Sequence, residues 1–192
     1  KLYSYHGINE FIICCGYKGY MIKEYFANYY LHTSDVTFLI SENSKQVHSE
    51  RADPWKVTLI DTGEDSMTGG RLRRVRDYLK KDDETFCFTY GDGLSNVNIK
   101  ELIKFHKNNN KIATVTAVTP PGRFGALDIN NQNMVKQFTE KPIKTLNSKY
   151  VNAGIYLFSK TLIQTLPPNQ VISLEYSLIT CWINKGIKIY GK

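Results

Sequence analysis

The order of the apolar patterns along the chain predicts an α/β protein with a mainly parallel sheet and helices on both faces. Three observations carry that prediction. Short β-branched or aromatic runs recur at residues 11–15, 57–60, 85–90 and 112–119, each of strand rather than helix length. Two of these runs stop at glycine, at Gly16 and Gly91, and segments with helical apolar spacing follow them. The length of 192 residues suits one domain around a single core.

Element by element, Leu2 and Tyr5 before Gly7 read as the end of a helix already under way, and residues 187–192 stop inside a strand-like run. The chain is therefore expected to be truncated at both ends. The strand at 11–15 feeds a helix whose stripe is Met21, Ile22, Tyr25, Phe26 and Tyr29. Strands follow at 36–40 and 57–60, separated by a polar stretch containing Pro54 that reads as an exposed excursion. Ser66-Met67-Thr68-Gly69-Gly70 opens a helix expected to run through Lys81, with Leu72, Val75 and Leu79 inward. The strand at 85–90 ends at Gly91-Asp92-Gly93, and the next helix carries Ile99, Leu102, Ile103 and His106 on one side. Beyond the strand at 112–119, residues 126–129 and 134–139 form a hairpin around Asn131-Gln132-Asn133. A strand at 150–158, a short helix near 161–166, a Pro167-Pro168 break and an amphipathic helix from about Leu174 to Asn184 complete the series.

The formal charge of +7 favours anionic partners without choosing among them. No recognition-helix or stacking-aromatic pattern supports nucleic acid, and no apolar run is long enough to cross a bilayer, so neither nucleic acid nor membrane is expected as a partner. Cys14, Cys15, Cys87 and Cys181 form no CxxC pair and mostly sit in apolar runs, as reduced core cysteines of a cytoplasmic protein do. The histidines lack metal-ligand spacing, and no Ser or Cys stands in a nucleophile elbow.

Ligands in doubly wound sheets bind beyond the carboxyl ends of the strands, which directs attention to three loops. In Tyr90-Gly91-Asp92-Gly93 a carboxylate ends a strand between residues without a β-carbon, a geometry that suits Mg²⁺ shared with phosphate oxygens and equally suits an ordinary Asp-Gly turn. Residues 66–71 offer the Ser66 and Thr68 hydroxyls, N–H groups of Gly69 and Gly70 expected to be free, and the Arg71 guanidinium at a helix start; a merely structural cap fits as well. Glu140-Lys141-Pro142 joins an acceptor for hydroxyls to an ammonium for a phosphate, or is a surface ion pair. Asn152 and Gly125 lie in two weaker segments, where an amide or a close backbone approach could serve a ligand or a neighbouring loop. The remaining basic residues of the helix after Gly70 read mostly as a solvated face.

Taken in order, Ile12-Ile13-Cys14-Cys15-Gly16-Tyr17-Lys18-Gly19, Asp61-Thr62-Gly63, Met67-Thr68-Gly69-Gly70-Arg71-Leu72, Phe88-Thr89-Tyr90-Gly91-Asp92-Gly93, Pro120-Pro121-Gly122-Arg123-Phe124-Gly125-Ala126-Leu127-Asp128-Ile129 and Phe138-Thr139-Glu140-Lys141-Pro142 resemble the sugar-1-phosphate nucleotidyltransferases. The run through Ala126-Leu127-Asp128 points to the glucose-1-phosphate cytidylyltransferase branch. The resemblance implies the Rossmann-like nucleotide-diphospho-sugar transferase fold. It also implies transfer of CMP from CTP to glucose 1-phosphate, giving CDP-glucose and pyrophosphate for bacterial surface polysaccharide, with Mg²⁺ as cofactor. Carried onto matching positions, Ser66, Thr68, Gly70, Arg71 and Gly91 would contact the nucleotide and Asp92 the metal. Glu140, Gly125 and Asn152 would meet the hexose and Lys141 the sugar phosphate; Lys141, Asp92 and Arg71 would carry catalysis. The family's opening Gly-rich loop with its Arg and catalytic Lys is not found before Lys1, and the chain stops short of the family's second metal-binding Asp. The polypeptide alone is thus expected to be inactive, to expose apolar surface, and to be a homo-oligomer only at full length. Two alternatives stay open: a relative with another base or sugar, and a non-catalytic sugar-nucleotide-binding module.

Overall fold

A computed structural model describes residues 1–49, 52–80, 84–110, 112–119, 125–140, 150–167 and 171–191. Two compact units divide the chain, Lys1–Asp65 and Ser66–Lys192.

In the first unit, helix α1 (Leu2–Tyr5) ends before Gly7, whose φ of +88° is the left-handed geometry glycine tolerates. Strand β1 (Glu10–Cys15) lies parallel to β4 (Lys56–Asp61), in register from Glu10↔Lys56 to Cys15↔Asp61. Between them come α2 (Gly19–Ala27), α3 (Tyr29–Thr33) and an antiparallel hairpin of β2 (Asp35–Leu39) and β3 (Ser44–Ser49). Strand β3 falls where an exposed excursion was expected. Its sequence, Ser-Lys-Gln-Val-His-Ser, has a single apolar residue, so its strand character comes from pairing with β2 and leaves no alternation to read. Cys15 and Thr62 are buried together, with the Thr62 N–H and hydroxyl both donating to the Cys15 carbonyl at 2.8 and 2.7 Å.

The second unit holds helix α4 (Thr68–Arg74), β5 (Thr85–Thr89), α5 (Ile99–Asn109), β6 (Ala113–Val118), β7 (Ala126–Ile129), β8 (Met134–Thr139), β9 (Tyr150–Ser159), α6 (Thr161–Gln164), a π-helical turn (Leu174–Ile179) running into α7 (Thr180–Asn184), and β10 (Ile189–Gly191). Its six strands are ordered β5-β9-β6-β10-β8-β7, with β7 also pairing to β9. The architecture is the expected α/β with a mixed sheet, but the mainly parallel pairing is corrected. Within this sheet β6 and β10 pair in parallel, and the other neighbours are antiparallel. The cause is β9, which runs against both β5 and β6 and so stands between two strands of like direction. The hairpin at Asn131-Gln132-Asn133 forms as expected, with the Asn130 Oδ1 accepting from the N–H groups of Gln132 and Met134. Helix α4 stops earlier than Lys81 because its last turn tightens into a 3₁₀ segment, Arg76–Tyr78.

The core of this unit is built on β9. Tyr156 and Phe158 stack with ring centroids 5.5 Å apart and are fully buried, with Ile99 and Leu102 from α5 and Leu162 from α6 also at or near zero exposure. His106 is a core histidine: Nδ1 lies 2.9 Å from the Thr114 hydroxyl, and burial lowers its pKa. Arg73, read as part of a solvated face, donates to the Leu166 carbonyl at 2.6 Å. None of the four cysteines is in a disulfide, and burial pushes the Cys87 thiol up to about 11.

Candidate nucleotide-sugar site

The candidate residues in the second unit gather around an irregularity in β9. Val115 pairs with Tyr156 and Ala117 with Asn152, so one residue of β6 faces three of β9. Gly154, at the crest, has φ +69°, and a β-carbon there would stand 2.7 Å from the Tyr90 ring, so two independent constraints demand glycine. Asn152 fastens the bulge: its Oδ1 accepts from the Gly154 N–H at 2.9 Å, and its Nδ2 donates to the Tyr156 hydroxyl. The Tyr90 N–H donates to the Gly154 carbonyl at 3.3 Å, and Gly93 closes the next turn onto the Tyr90 carbonyl. The Gly91-Asp92-Gly93 loop is thereby anchored to β9. Asp92 and Gly91 are exposed, with nothing within 4 Å of where a Gly91 β-carbon would sit.

Gly125 and Glu140 join Asn152 on the far side of the bulge. The Asn152 N–H donates to the Gly125 carbonyl at 2.7 Å, and a β-carbon on Gly125 would lie 2.7 Å from the Glu140 Oε2 and 2.9 Å from the Phe138 ring. Strand pairing enforces this meeting, since Ala126 is opposite both Thr139 and Val151. Lys141 and the Gly122-Arg123-Phe124 segment lie outside the described residues.

At the start of α4 one expectation is overturned. The N–H groups of Gly69 and Gly70, expected to be free for an anion, both donate to the Ile172 carbonyl at 2.9 and 3.3 Å. The segment before the π-helical turn packs so closely that a β-carbon on Gly69 would meet Ile172 and Leu178 within 3 Å, and it takes up the orphan donors of the helix start. Ser66 is buried, and Arg71 and Thr68 are half-buried on the same loop and helix.

Two residues that sequence reasoning passed over connect these parts. Glu175 is buried; its Oε2 accepts from the Ser173 and Thr68 hydroxyls at 2.8 and 3.1 Å, and its Oε1 accepts from Tyr156 at 3.4 Å. Burial raises the pKa of both Glu175 and Tyr156. The one sequence signal was Ser173 ahead of an apolar helical run, a helix cap whose hydroxyl accepts from the Tyr176 N–H at 3.2 Å. Among the described residues no cluster of three His, Cys, Asp or Glu could hold a metal ion, so a cation at Asp92 would take further oxygens from bound phosphate, as Mg²⁺ commonly does. No helix among them is long and apolar enough to cross a membrane.

The arrangement is a set of carboxylate, amide and hydroxyl groups on glycine-lined loops at one end of a mixed sheet, and the sequence profile of the family described as "Nucleotidyl transferase" matches residues 1–177. The chain belongs to this family. It is 57% identical over 166 residues to the glucose-1-phosphate cytidylyltransferase of Salmonella typhimurium, covering 86% of this chain and 63% of that protein. To the probable glucose-1-phosphate cytidylyltransferase of Bacillus subtilis it is 39% identical over 167 residues, covering 87% and 63%. The chain thus spans less than two thirds of the length of these relatives. The nucleotidyl transferase fold is shared with HddC from Yersinia pseudotuberculosis at TM-score 0.72 and 20% identity, over 100% of this chain and 72% of that one. A UDP-glucose pyrophosphorylase complexed with UDP-glucose matches at TM-score 0.67 and 13% identity, over 99% of this chain and 75% of that one.

Proposed function

We propose that the protein to which this chain belongs transfers CMP from CTP to glucose 1-phosphate, releasing CDP-glucose and pyrophosphate. The observation that carries the reading is the meeting of Gly125, Glu140 and Asn152 at the β9 bulge to which the Asp92 loop is anchored, in a chain 57% identical to a glucose-1-phosphate cytidylyltransferase. Four cysteines outside any disulfide agree with a reducing, cytoplasmic setting.

The hexose is read on the Asn152 side. Although Asn152 already makes two hydrogen bonds, its amide keeps one N–H and one lone pair for sugar hydroxyls, and Glu140 supplies acceptors for hydroxyl protons. Arg71 suits nucleotide phosphate bidentately, and Lys141 pairs with the sugar phosphate as a compact charge. Such groups hold two mutually repelling anions so that the glucose 1-phosphate oxygen attacks the α-phosphorus in line, with no covalent enzyme intermediate. Mg²⁺ bound at Asp92 would neutralise phosphate charge and stabilise the departing pyrophosphate. The chemistry is then positioning and charge compensation rather than proton transfer.

The test is pyrophosphate release by the full-length gene product, with CTP, UTP and dTTP offered in competition alongside glucose 1-phosphate. The expected result is Mg²⁺-dependent release with preference for CTP, and a loss of at least about a hundredfold in kcat for Asp92→Asn, the scale of removing one charge-stabilising contact. Equal use of the three nucleotides, or unchanged Mg²⁺-dependent turnover in Asp92→Asn, overturns the base assignment or the metal assignment respectively.

A further inference from the structure

We propose that Glu175 is a positioning residue that ties the nucleotide side of the site to its sugar side. The inference rests on the reading of Thr68 as nucleotide-side and Asn152 as sugar-side. The four residues form an unbroken chain of hydrogen bonds. Thr68 donates to Glu175 at 3.1 Å, Tyr156 donates to Glu175 at 3.4 Å, and Asn152 donates to the Tyr156 hydroxyl. The Thr68 hydroxyl in turn accepts from the Leu174 N–H at 2.8 Å, which locks the helix carrying Glu175 onto the start of α4. Asn152 holds Gly154, and Gly154 holds Tyr90, so the chain reaches the Asp92 loop as well.

The chemistry explains why a carboxylate occupies the centre. Three hydroxyls, from Thr68, Tyr156 and Ser173, present protons to it, and a carboxylate accepts all of them with lone pairs to spare. An apolar side chain there would take the acceptor from the Thr68 and Ser173 hydroxyl protons, and the Tyr156 hydroxyl could turn from Asn152 to the Tyr90 hydroxyl, 3.3 Å away. A glutamine keeps the shape and one acceptor oxygen. The bonds on the two arms are independent, because Thr68 and Tyr156 use different oxygens of the carboxylate. Removing the carboxylate should therefore loosen both arms together, and cutting one arm should loosen one.

The experiment uses the full-length protein and three variants, Glu175→Ala, Glu175→Gln and Tyr156→Phe. Steady-state kinetics should show Glu175→Ala raising KM for both CTP and glucose 1-phosphate by about three- to tenfold, the range of coupling between groups in one hydrogen-bond network. Glu175→Gln, with one acceptor oxygen in place of two, should recover KM for one of the two substrates only, and Tyr156→Phe should raise KM for glucose 1-phosphate alone. In ¹⁵N spectra the Gly69 and Gly70 amides should shift in concert with the Gly154 amide and the Asn152 side-chain NH₂ in Glu175→Ala, and in Glu175→Gln the resonances of one arm should return towards wild type. A lowered melting temperature with both KM values unmoved overturns the proposal, as do resonance shifts confined to the Thr68 side. If the wild-type protein turns over neither substrate, the functional reading fails while the resonance comparison still decides whether Glu175 couples the two arms. If Glu175→Ala does not fold, Glu175→Gln and Tyr156→Phe decide the same question: KM raised for at least one substrate in Glu175→Gln together with KM for glucose 1-phosphate raised in Tyr156→Phe supports the coupling, and any other result overturns it.

Discussion

The two units of the chain are supplied with similar side chains and use them differently. In Lys1–Asp65 much of the apolar stripe of α2 is in solvent, with Met21 52%, Ile22 37% and Tyr25 48% exposed, and Phe38 of the hairpin is 54% exposed. In Ser66–Lys192 the corresponding aromatic residues of β9, Tyr156 and Phe158, are completely buried. The difference lies in sheet width. A parallel pair such as β1 and β4 is a structure that proteins normally bury on both faces, and two strands offer too little surface to cover a helix. Six strands provide a floor wide enough for α5, α6 and the helix through Trp182 to seal. A helical stripe therefore states which side of a helix is apolar and is silent about whether anything lies against it.

The strongest way to break this contrast is Phe158→Ala. The substitution removes a fully buried ring from the centre of the larger unit and should cost about 3–5 kcal/mol in urea unfolding; a cost under about 1 kcal/mol would mean the β9 core is not the main source of stability. Next in size is Gly154→Ala, which places a β-carbon in the left-handed region and against Tyr90. It should cost more than the roughly 1–2 kcal/mol of the backbone conformation alone, whereas Gly186→Ala, at φ +74° with open space around it, should cost only that much. Equal melting temperatures for the two variants would remove the Tyr90 contact from the account.

A smaller effect follows from His106. Its folded pKa is lowered by burial, with Lys107 adding to the shift, so the buried ring favours the neutral form and its contribution is complete above the unfolded value near 6.5. That contribution is lost as pH falls through the lowered folded value. The melting temperature should drop by about 2–4 °C between pH 7 and 5, and a His106→Asn variant should show a flatter pH profile. The smallest change is expected in the other unit. Tyr25→Ser should alter stability by less than about 0.5 kcal/mol while reducing binding of an apolar dye. A loss above 2 kcal/mol there would show the Tyr25 stripe to be covered.

Much of the site was legible because its residues announce themselves locally. Gly91-Asp92-Gly93 needs only a strand end and two small residues, and the Asn131-Gln132-Asn133 turn follows from its own side chains. Gly125, Glu140 and Asn152 could be picked out one by one, but their meeting depends on β7, β8 and β9 pairing in a particular register. Glu175 gave no signal of its own beyond the Ser173 cap before it, since a glutamate in the first turn of a helix is ordinarily a solvated residue. The Gly69 and Gly70 amides were misjudged for the converse reason, because a helix start says that donors are orphaned and not which carbonyl will claim them.

By itself, then, the sequence determined the alternation of strands, helices and glycine-lined loops, apart from β3 and the end of α4, and the order of segments that marks the nucleotidyl transferase family. Those features arise from interactions within a few residues along the chain, which periodicity and turn chemistry report directly. Tertiary structure alone decided that β9 lies between β5 and β6, that Ile172 caps α4, and that Thr68 finds its partner in Glu175, 107 positions away. A hydrogen bond over that separation is set by which surfaces the whole fold brings into contact, and no local pattern around either residue contains that information.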